Sequence, residues 1–280
     1  MREWYDMKTR IISAAAGLVI LAVVFFFFDT IFYNIAVTAV TMIAVYEVLL
    51  ATKYIENKVL AALCLMFAGF VPSLRYTLNS FVGPAVCLSF AAALFILLLV
   101  EHRTLRIEQV GLSFFVSLVI PLSFSMLIVF RDNYETQTGL FYILLSLGTA
   151  WFSDAGAYFV GRACGKRKLA PEISPKKTVE GAVGGVISDM IFCSLYTWIF
   201  MSVADLPMDI SWLRLLIFVP LGAVFGILGD LSASIIKRQC SVKDFGNIMP
   251  GHGGVLDRFD SWLFVAPLLY SFVQVFPIVK

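Results

Sequence analysis

Apolar residues run along this chain in long blocks, and the polar positions collect in the gaps between them. Nine blocks are long enough for helices, at about 11–28, 31–50, 58–76, 81–100, 108–130, 139–161, 179–203, 213–236 and 259–277. An apolar run of about 18 residues or more crosses a bilayer as an α-helix. The gaps carry the expected punctuation: residues 52–58 read TKYIENK and residues 101–104 read EHRT. No internal repeat, low-complexity tract or separate soluble domain breaks the pattern. It predicts an all-α polytopic membrane protein with about nine transmembrane helices.

Composition agrees. Of the 280 residues 60% are hydrophobic and 14% charged, with a mean hydropathy of +0.90, whereas soluble proteins carry about a quarter charged residues. The first apolar block follows Arg2, Lys8 and Arg10 but ends in four phenylalanines and Asp29 without a small-residue cleavage site. It therefore reads as a retained span and not a signal peptide. Five dispersed cysteines and two histidines, His102 and His252, predict packing and imply neither disulfides nor zinc. The net charge of +2 says little about partners, and no nucleic acid is expected.

Charge then orients the blocks. With a cytoplasmic N-terminus and nine spans, 17 of the 21 lysines and arginines fall inside, and only Arg75, Arg131, Arg214 and Lys280 fall outside. The positive-inside rule favours that orientation and puts the C-terminus outside. Ten of the 17 lie in two inside loops, 162–178 and 237–258, rich in Gly, Pro and Lys. Function is expected there, in a C-terminal catalytic region (139–280) that follows N-terminal transmembrane helices (1–138).

Carboxylates flank those loops. Asp230, Ser234 and Lys237 are spaced i, i+4, i+7 and share one helix face. Asp230 lies about 10 Å deeper than Lys237, and Asp154 about 10 Å inside Gly161. Asp257 and Asp260 are expected at i and i+3 on the face of the last helix. A buried carboxylate costs several kcal/mol unless a cation or polar cavity accompanies it. Any one of these aspartates could simply pair with a nearby Lys, Arg or Ser. Four of them facing two Lys/Gly loops favour a shared polar cavity open to the cytoplasm. Hard oxygen donors without a histidine cluster suit magnesium over zinc. Glycines and lysines beside them suit a phosphate-bearing substrate. The segment SPKKTVEG (174–181) adds Thr178 near a helix N-terminus, an anion-favouring position. It is no Walker A loop. The Gly222–Gly226 GxxxG pair reads as close helix packing. Asp189, in mid-span beside Ser188, is left outside the site.

Residues 234–260 read SIIKRQCSVKDFGNIMPGHGGVLDRFD. This closely resembles the signature of the phosphatidate cytidylyltransferases (CDP-diacylglycerol synthases), with every fixed polar position met. Met249 stands where that pattern usually has Leu, Ile or Phe, a volume-conserving apolar swap. The blocks SDAGAYFVGR (153–162) and SPKKTVEG are also similar to the family, so motif-level resemblance covers about 150–262. The resemblance implies the reaction CTP + phosphatidate → CDP-diacylglycerol + pyrophosphate with Mg2+. It implies Asp230 and Asp257 as metal ligands with Asp154 and Asp260 in support, and Lys237, Arg238, Lys243 and Arg258 neutralising phosphates. Ser174, Lys176, Lys177 and Thr178 would cradle CTP, with Ser234 and Asp244 in the binding set. His252 reads as a loop hydrogen-bonder with an open acid–base role. Arg238 and Arg258 could alternatively serve as topology anchors. The implied setting is a multi-pass protein of a bacterial cell membrane, with phosphatidate and membrane lipids as partners and a homodimer left open.

Two competing readings are weaker. A transporter predicts broken helices and midplane charge, whereas the charge here gathers at one face. A polyprenol kinase of related architecture would lack the HGG-x2-DR-x-D stretch, and the DG-x2-AR pattern of CDP-alcohol phosphotransferases is missing from this sequence.

Overall fold

Every apolar block folds as helix in the computed structural model of the chain, which describes residues 2–73, 82–203 and 209–280. The side chains of residues 2–11, 14, 73 and 82, including those of Arg2, Lys8 and Arg10, lie outside the described ones. So do Arg75 and the end of the third expected block. In chain order the elements are α1 (Arg2–Phe26), α2 (Ile31–Ala51), α3 (Lys58–Phe70), α4 (Val82–Val100), α5 (Ile107–Asn133) and α6 (Thr136–Cys164). They continue with β1 (Lys168–Ala170), β2 (Ser174–Thr178), α7 (Val179–Val203), α8 (Trp212–Gln239), α9 (Leu256–Phe259) and α10 (Trp262–Val275).

Among the described residues six of these, α2 and α4 to α8, are long and apolar enough to cross a membrane. Three apolar helices are shorter: Ala15–Phe26 within α1, and α3 and α10 entire. The 13 residues of α3 make about 20 Å of helix, against a hydrocarbon core of about 30 Å. Among the described residues, six of the nine expected crossings therefore meet both length and apolarity, while α1 as a whole is 25 residues long.

Two local expectations change. The 162–178 loop is partly ordered as an antiparallel hairpin, with Lys168 opposite Thr178 and Ala170 opposite Ser174. The last block does not start as one helix. α9 is a single turn, and the chain breaks at Asp260 and Ser261 before α10. Asp260 turns its carboxylate onto its own neighbour, accepting from the Ser261 N–H at 2.9 Å. Such local side-chain bonds compete with helix. Asp257 and Asp260 therefore do not share a helix face.

By packing, the chain divides into two compact units, Met1–Val129 with Cys240–Arg258, and Phe130–Gln239 with Phe259–Lys280. This is separate from the functional division at 138/139. In the first unit α2 packs on α1 and α3, and α3 on α4. Phe67 and Phe90 stack with centroids 4.0 Å apart. Asn57 caps α3 by accepting from the Leu60 N–H at 3.0 Å and donates to Glu101 at 2.6 Å. In the second unit α6 and α7 form the most extensive helix pair, and α8 and α10 pack on α6. Small residues set that pair's close approach. A Cβ on Gly185 would meet the Ser153 carbonyl oxygen at 2.6 Å. Trp262, fully buried, donates from Nε1 to Ser146 Oγ at 2.9 Å.

Candidate active site

The second unit gathers most of the expected residues around the hairpin, α6 and α8. Within β2, Lys176 is exposed while Lys177 is half-buried. Lys177 forms a salt bridge with Asp230. On α8, Ser234 Oγ donates to Asp230 Oδ1 at 3.3 Å, one turn away. Lys237, one further turn on and only 8% exposed, pairs instead with Asp260 at 3.7 Å. Asp154, from α6, accepts from Ser261 Oγ at 2.7 Å. Asp260 also interacts electrostatically with Asp230 and Asp154. Three carboxylates and two lysines from α6, the hairpin, α8 and the α9–α10 break thus form one electrostatic cluster.

The rest of the hairpin serves local order. Thr178 Oγ1 accepts from the Gly181 N–H at 3.1 Å, so this buried threonine is the N-cap of α7. Glu180 accepts from the Lys166 and Arg167 N–H groups at 3.0–3.2 Å and ties the α6–β1 turn to α7. Exposed Arg238 donates from Nε to the Ile173 carbonyl at 3.3 Å, steadying the hairpin tip. Ser174 is half-buried at the start of β2.

The first unit holds the other half of the signature. Residues 249–253 form a tight turn: the His252 N–H donates to the Met249 carbonyl, and the Met249 N–H to the Gly253 carbonyl, both at 2.9 Å. Pro250 and Gly251 occupy its centre, and Gly251 has φ 79°, the arrangement of a type II turn. His252 Nδ1 lies 2.7 Å from Ser13 Oγ, which also donates to the Pro250 carbonyl at 2.9 Å. Asp257 is buried, and its Oδ2 accepts from the Phe245 N–H at 2.8 Å and the Gly254 N–H at 2.9 Å. Gly253 has φ 87°, and a Cβ there would meet Asp257 Oδ2 at 2.9 Å. Lys243, Asp244 and Arg258 are exposed. Burial raises the thiol pKa of Cys240 at the loop's start.

Sequence reasoning did not single out Ser261 or Glu47, and it left Asp189 outside the site. Ser261 orients Asp154. Asp189 of α7 is fully buried; Cys193 donates its thiol to Oδ1 at 3.0 Å, while Oδ2 accepts no hydrogen bond among the described residues. Glu47 of α2 is 1% exposed and accepts from the Val255 and Leu256 N–H groups, each at 2.9 Å. A lone glutamate inside an apolar block was the available signal, since intramembrane carboxylates mark function by default.

Among the described residues no three His, Cys, Asp or Glu side chains converge as a ready-made metal site. Magnesium does not require one, because it is commonly held by one or two carboxylates plus substrate phosphates.

The Cytidylyltransferase family model matches residues 8–276. The chain belongs to the cytidylyltransferase family. Within it, the chain is 38% identical to the phosphatidate cytidylyltransferase of Bacillus subtilis (strain 168), over 97% of its own length and 99% of the relative's. It is 51% identical to a phosphatidate cytidylyltransferase of Staphylococcus epidermidis over 142 residues, 50% of this chain and 52% of that one. A Staphylococcus aureus relative of the same name is 49% identical over 142 residues, again 50% of this chain and 52% of the relative. The family match includes the N-terminal helices, where the sequence motifs had been silent.

Proposed function

We propose that this cytidylyltransferase is a membrane enzyme that converts CTP and phosphatidate into CDP-diacylglycerol and pyrophosphate. Its similarity over nearly the whole length to the Bacillus subtilis phosphatidate cytidylyltransferase carries the reading. In the reaction, an oxygen of the lipid phosphate attacks the α-phosphorus of CTP. A new P–O–P link forms, the bond between α-phosphorus and bridging oxygen breaks, and pyrophosphate leaves with that electron pair. Such transfers need little covalent work from the protein, and positioning with charge neutralisation dominates.

The second unit's cluster suits that work. Lys177 and Lys237 supply positive charge near the inner end of the hairpin and α8, where they can exchange their carboxylate partners for phosphate oxygens. Lys176 and Arg238 extend the basic surface toward the nucleotide, and the Ser174 hydroxyl stays assigned to it. Asp154 and Asp230 are the carboxylates we assign to magnesium in this unit. The fit rests on hard oxygen donors and three interacting carboxylates. Magnesium there would neutralise phosphate charge. In the first unit, Asp257 keeps its metal assignment, and exposed Lys243, Asp244 and Arg258 stay assigned to substrate. The site faces the cytoplasm of a bacterial cell, through a polar cavity reached by CTP from water and by phosphatidate from the bilayer.

The test is direct. Purified protein in detergent, given labelled CTP, phosphatidate and magnesium, should release pyrophosphate and form CDP-diacylglycerol in equal amounts. Pyrophosphate release without phosphatidate, or no lipid product with it, would overturn the assignment.

A further inference from the structure

Glu47 is a buried carboxylate whose partners lie more than 200 residues away in the chain. Its two oxygens divide two consecutive peptide N–H groups between them: Oε1 takes Val255 and Oε2 takes Leu256, each at 2.9 Å. Asp257 takes the preceding N–H, that of Gly254, and closes the loop back onto Phe245. The three peptides before Asp257 are therefore held by two carboxylates, one from the loop itself and one from α2.

Space has been cleared for this contact. A Cβ on Gly254 would come within 2.5 Å of the Glu47 carboxylate, and so would one on Gly246. The glycines of this stretch read in the sequence as room for phosphates. At Gly246 and Gly254 the room is taken by Glu47. An apolar residue at 47 would pack an apolar helix equally well, without the cost of burying a charge. It would also strand two buried N–H donors in the turn that carries Asp257 and Arg258.

We infer that Glu47 is a positioning residue, which clamps the 254–256 backbone and so fixes where Asp257 and Arg258 stand during nucleotidyl transfer. This rests on the cytidylyltransferase reading above. Glu47 touches neither substrate in this role. Its effect should therefore fall on turnover more than on nucleotide affinity, because misplacing a reacting group by about 1 Å costs on the order of 100-fold.

The experiment compares the full-length protein with its Glu47→Gln and Glu47→Ala variants in detergent, measuring kcat and KM for CTP alongside amide hydrogen exchange. Gln is isosteric but offers one acceptor oxygen for two N–H groups. Expected are a kcat loss of about 10-fold for Gln and about 100-fold for Ala, with KM for CTP changed less than about threefold. Exchange should rise in the 253–258 peptides of both variants and stay unchanged in α3 and α4. The inference is overturned if Ala keeps kcat within twofold. It is overturned equally if the kcat loss comes with faster exchange throughout α2, α3 and α4, which would mark a general fold staple. Should Ala fail to fold, Gln alone decides by the same two criteria. Wild-type protein without CDP-diacylglycerol formation would sink the functional reading, while the exchange difference would still report the clamp.

Discussion

At the residue scale, two neighbouring lysines that look equivalent in sequence are not. Lys176 is exposed, while Lys177 faces inward and pairs with Asp230. Removing Lys177 also leaves a half-buried carboxylate without that partner, a loss typical of charge-assisted bonds at about 1.5–3 kcal/mol. Lys177→Ala should raise the apparent KM for CTP at least about 10-fold, and more than that for phosphatidate. Lys176→Ala should stay within about threefold. Steady-state kinetics with each substrate varied in turn would check this, and equal effects at both lysines would contradict it. Asp257 gives a second prediction. Asp257→Asn keeps an acceptor for the Phe245 and Gly254 N–H groups but loses its charge, so the protein should fold and its turnover should fall at least about 1,000-fold. Asp230→Asn should behave likewise, and a magnesium titration should show weakened dependence in both. Near-normal activity with an unchanged magnesium requirement would remove these two residues from the metal assignment.

At the element scale, packing of small residues makes sharper claims than the GxxxG pattern alone. In α8 a Cβ on Gly222 would meet Thr149 Cγ2 at 2.7 Å, whereas on Gly226 its nearest neighbour is 3.6 Å away. Gly226→Ala should therefore leave the thermal midpoint in detergent almost unchanged. Gly185→Ala presses on the Ser153 backbone carbonyl at 2.6 Å, which cannot rotate away, and should cost about 1–3 kcal/mol. Similar midpoints for these two variants would refute the packing argument. The same scale explains what was readable in the sequence. Helix periodicity placed Asp230 and Ser234 on one face, and their hydrogen bond agrees. Periodicity could not pair Lys237 with Asp260, because Asp260 lies in a helix break made by its own carboxylate and the Ser261 N–H. Nor could it separate Lys176 from Lys177, which lie in a hairpin strand and differ in burial. Glu47 was the hardest to read. Its partners are more than 200 positions away, and the helix that carries it has no motif.

At the scale of the whole molecule, the number of helices that cross the bilayer decides on which side the chain ends. Nine crossings put the C-terminus opposite the N-terminus; six put both on one side. The lysine and arginine count favours nine, with 17 of 21 positive charges inside. Counting only helices that are long and apolar among the described residues gives six, with α3, α10 and the described Ala15–Phe26 part of the 25-residue α1 shorter. Both versions keep Arg106 and Lys168 on the N-terminal side. If the three short helices do not cross, α2 with α4 brings the chain back before Arg106, and α5 with α6 brings it back before Lys168. The two versions differ at the 52–57 loop with Lys53, inside with nine crossings and outside with six, and at the end of the chain, because α7 and α8 return it inside and α10 alone can carry it out. Short helices can still span where the bilayer thins around them, at a modest cost per ångström, so we expect nine crossings. Reporter fusions after Arg106 and Lys168 should report cytoplasmic, and one after Lys280 should report outside. A cytoplasmic reporter at Lys280 would reduce the count to an even number and leave the nucleotide site on the same face. An outside reporter at Lys168 would be far more damaging, because it would put Lys177 and the hairpin beyond the reach of cytoplasmic CTP.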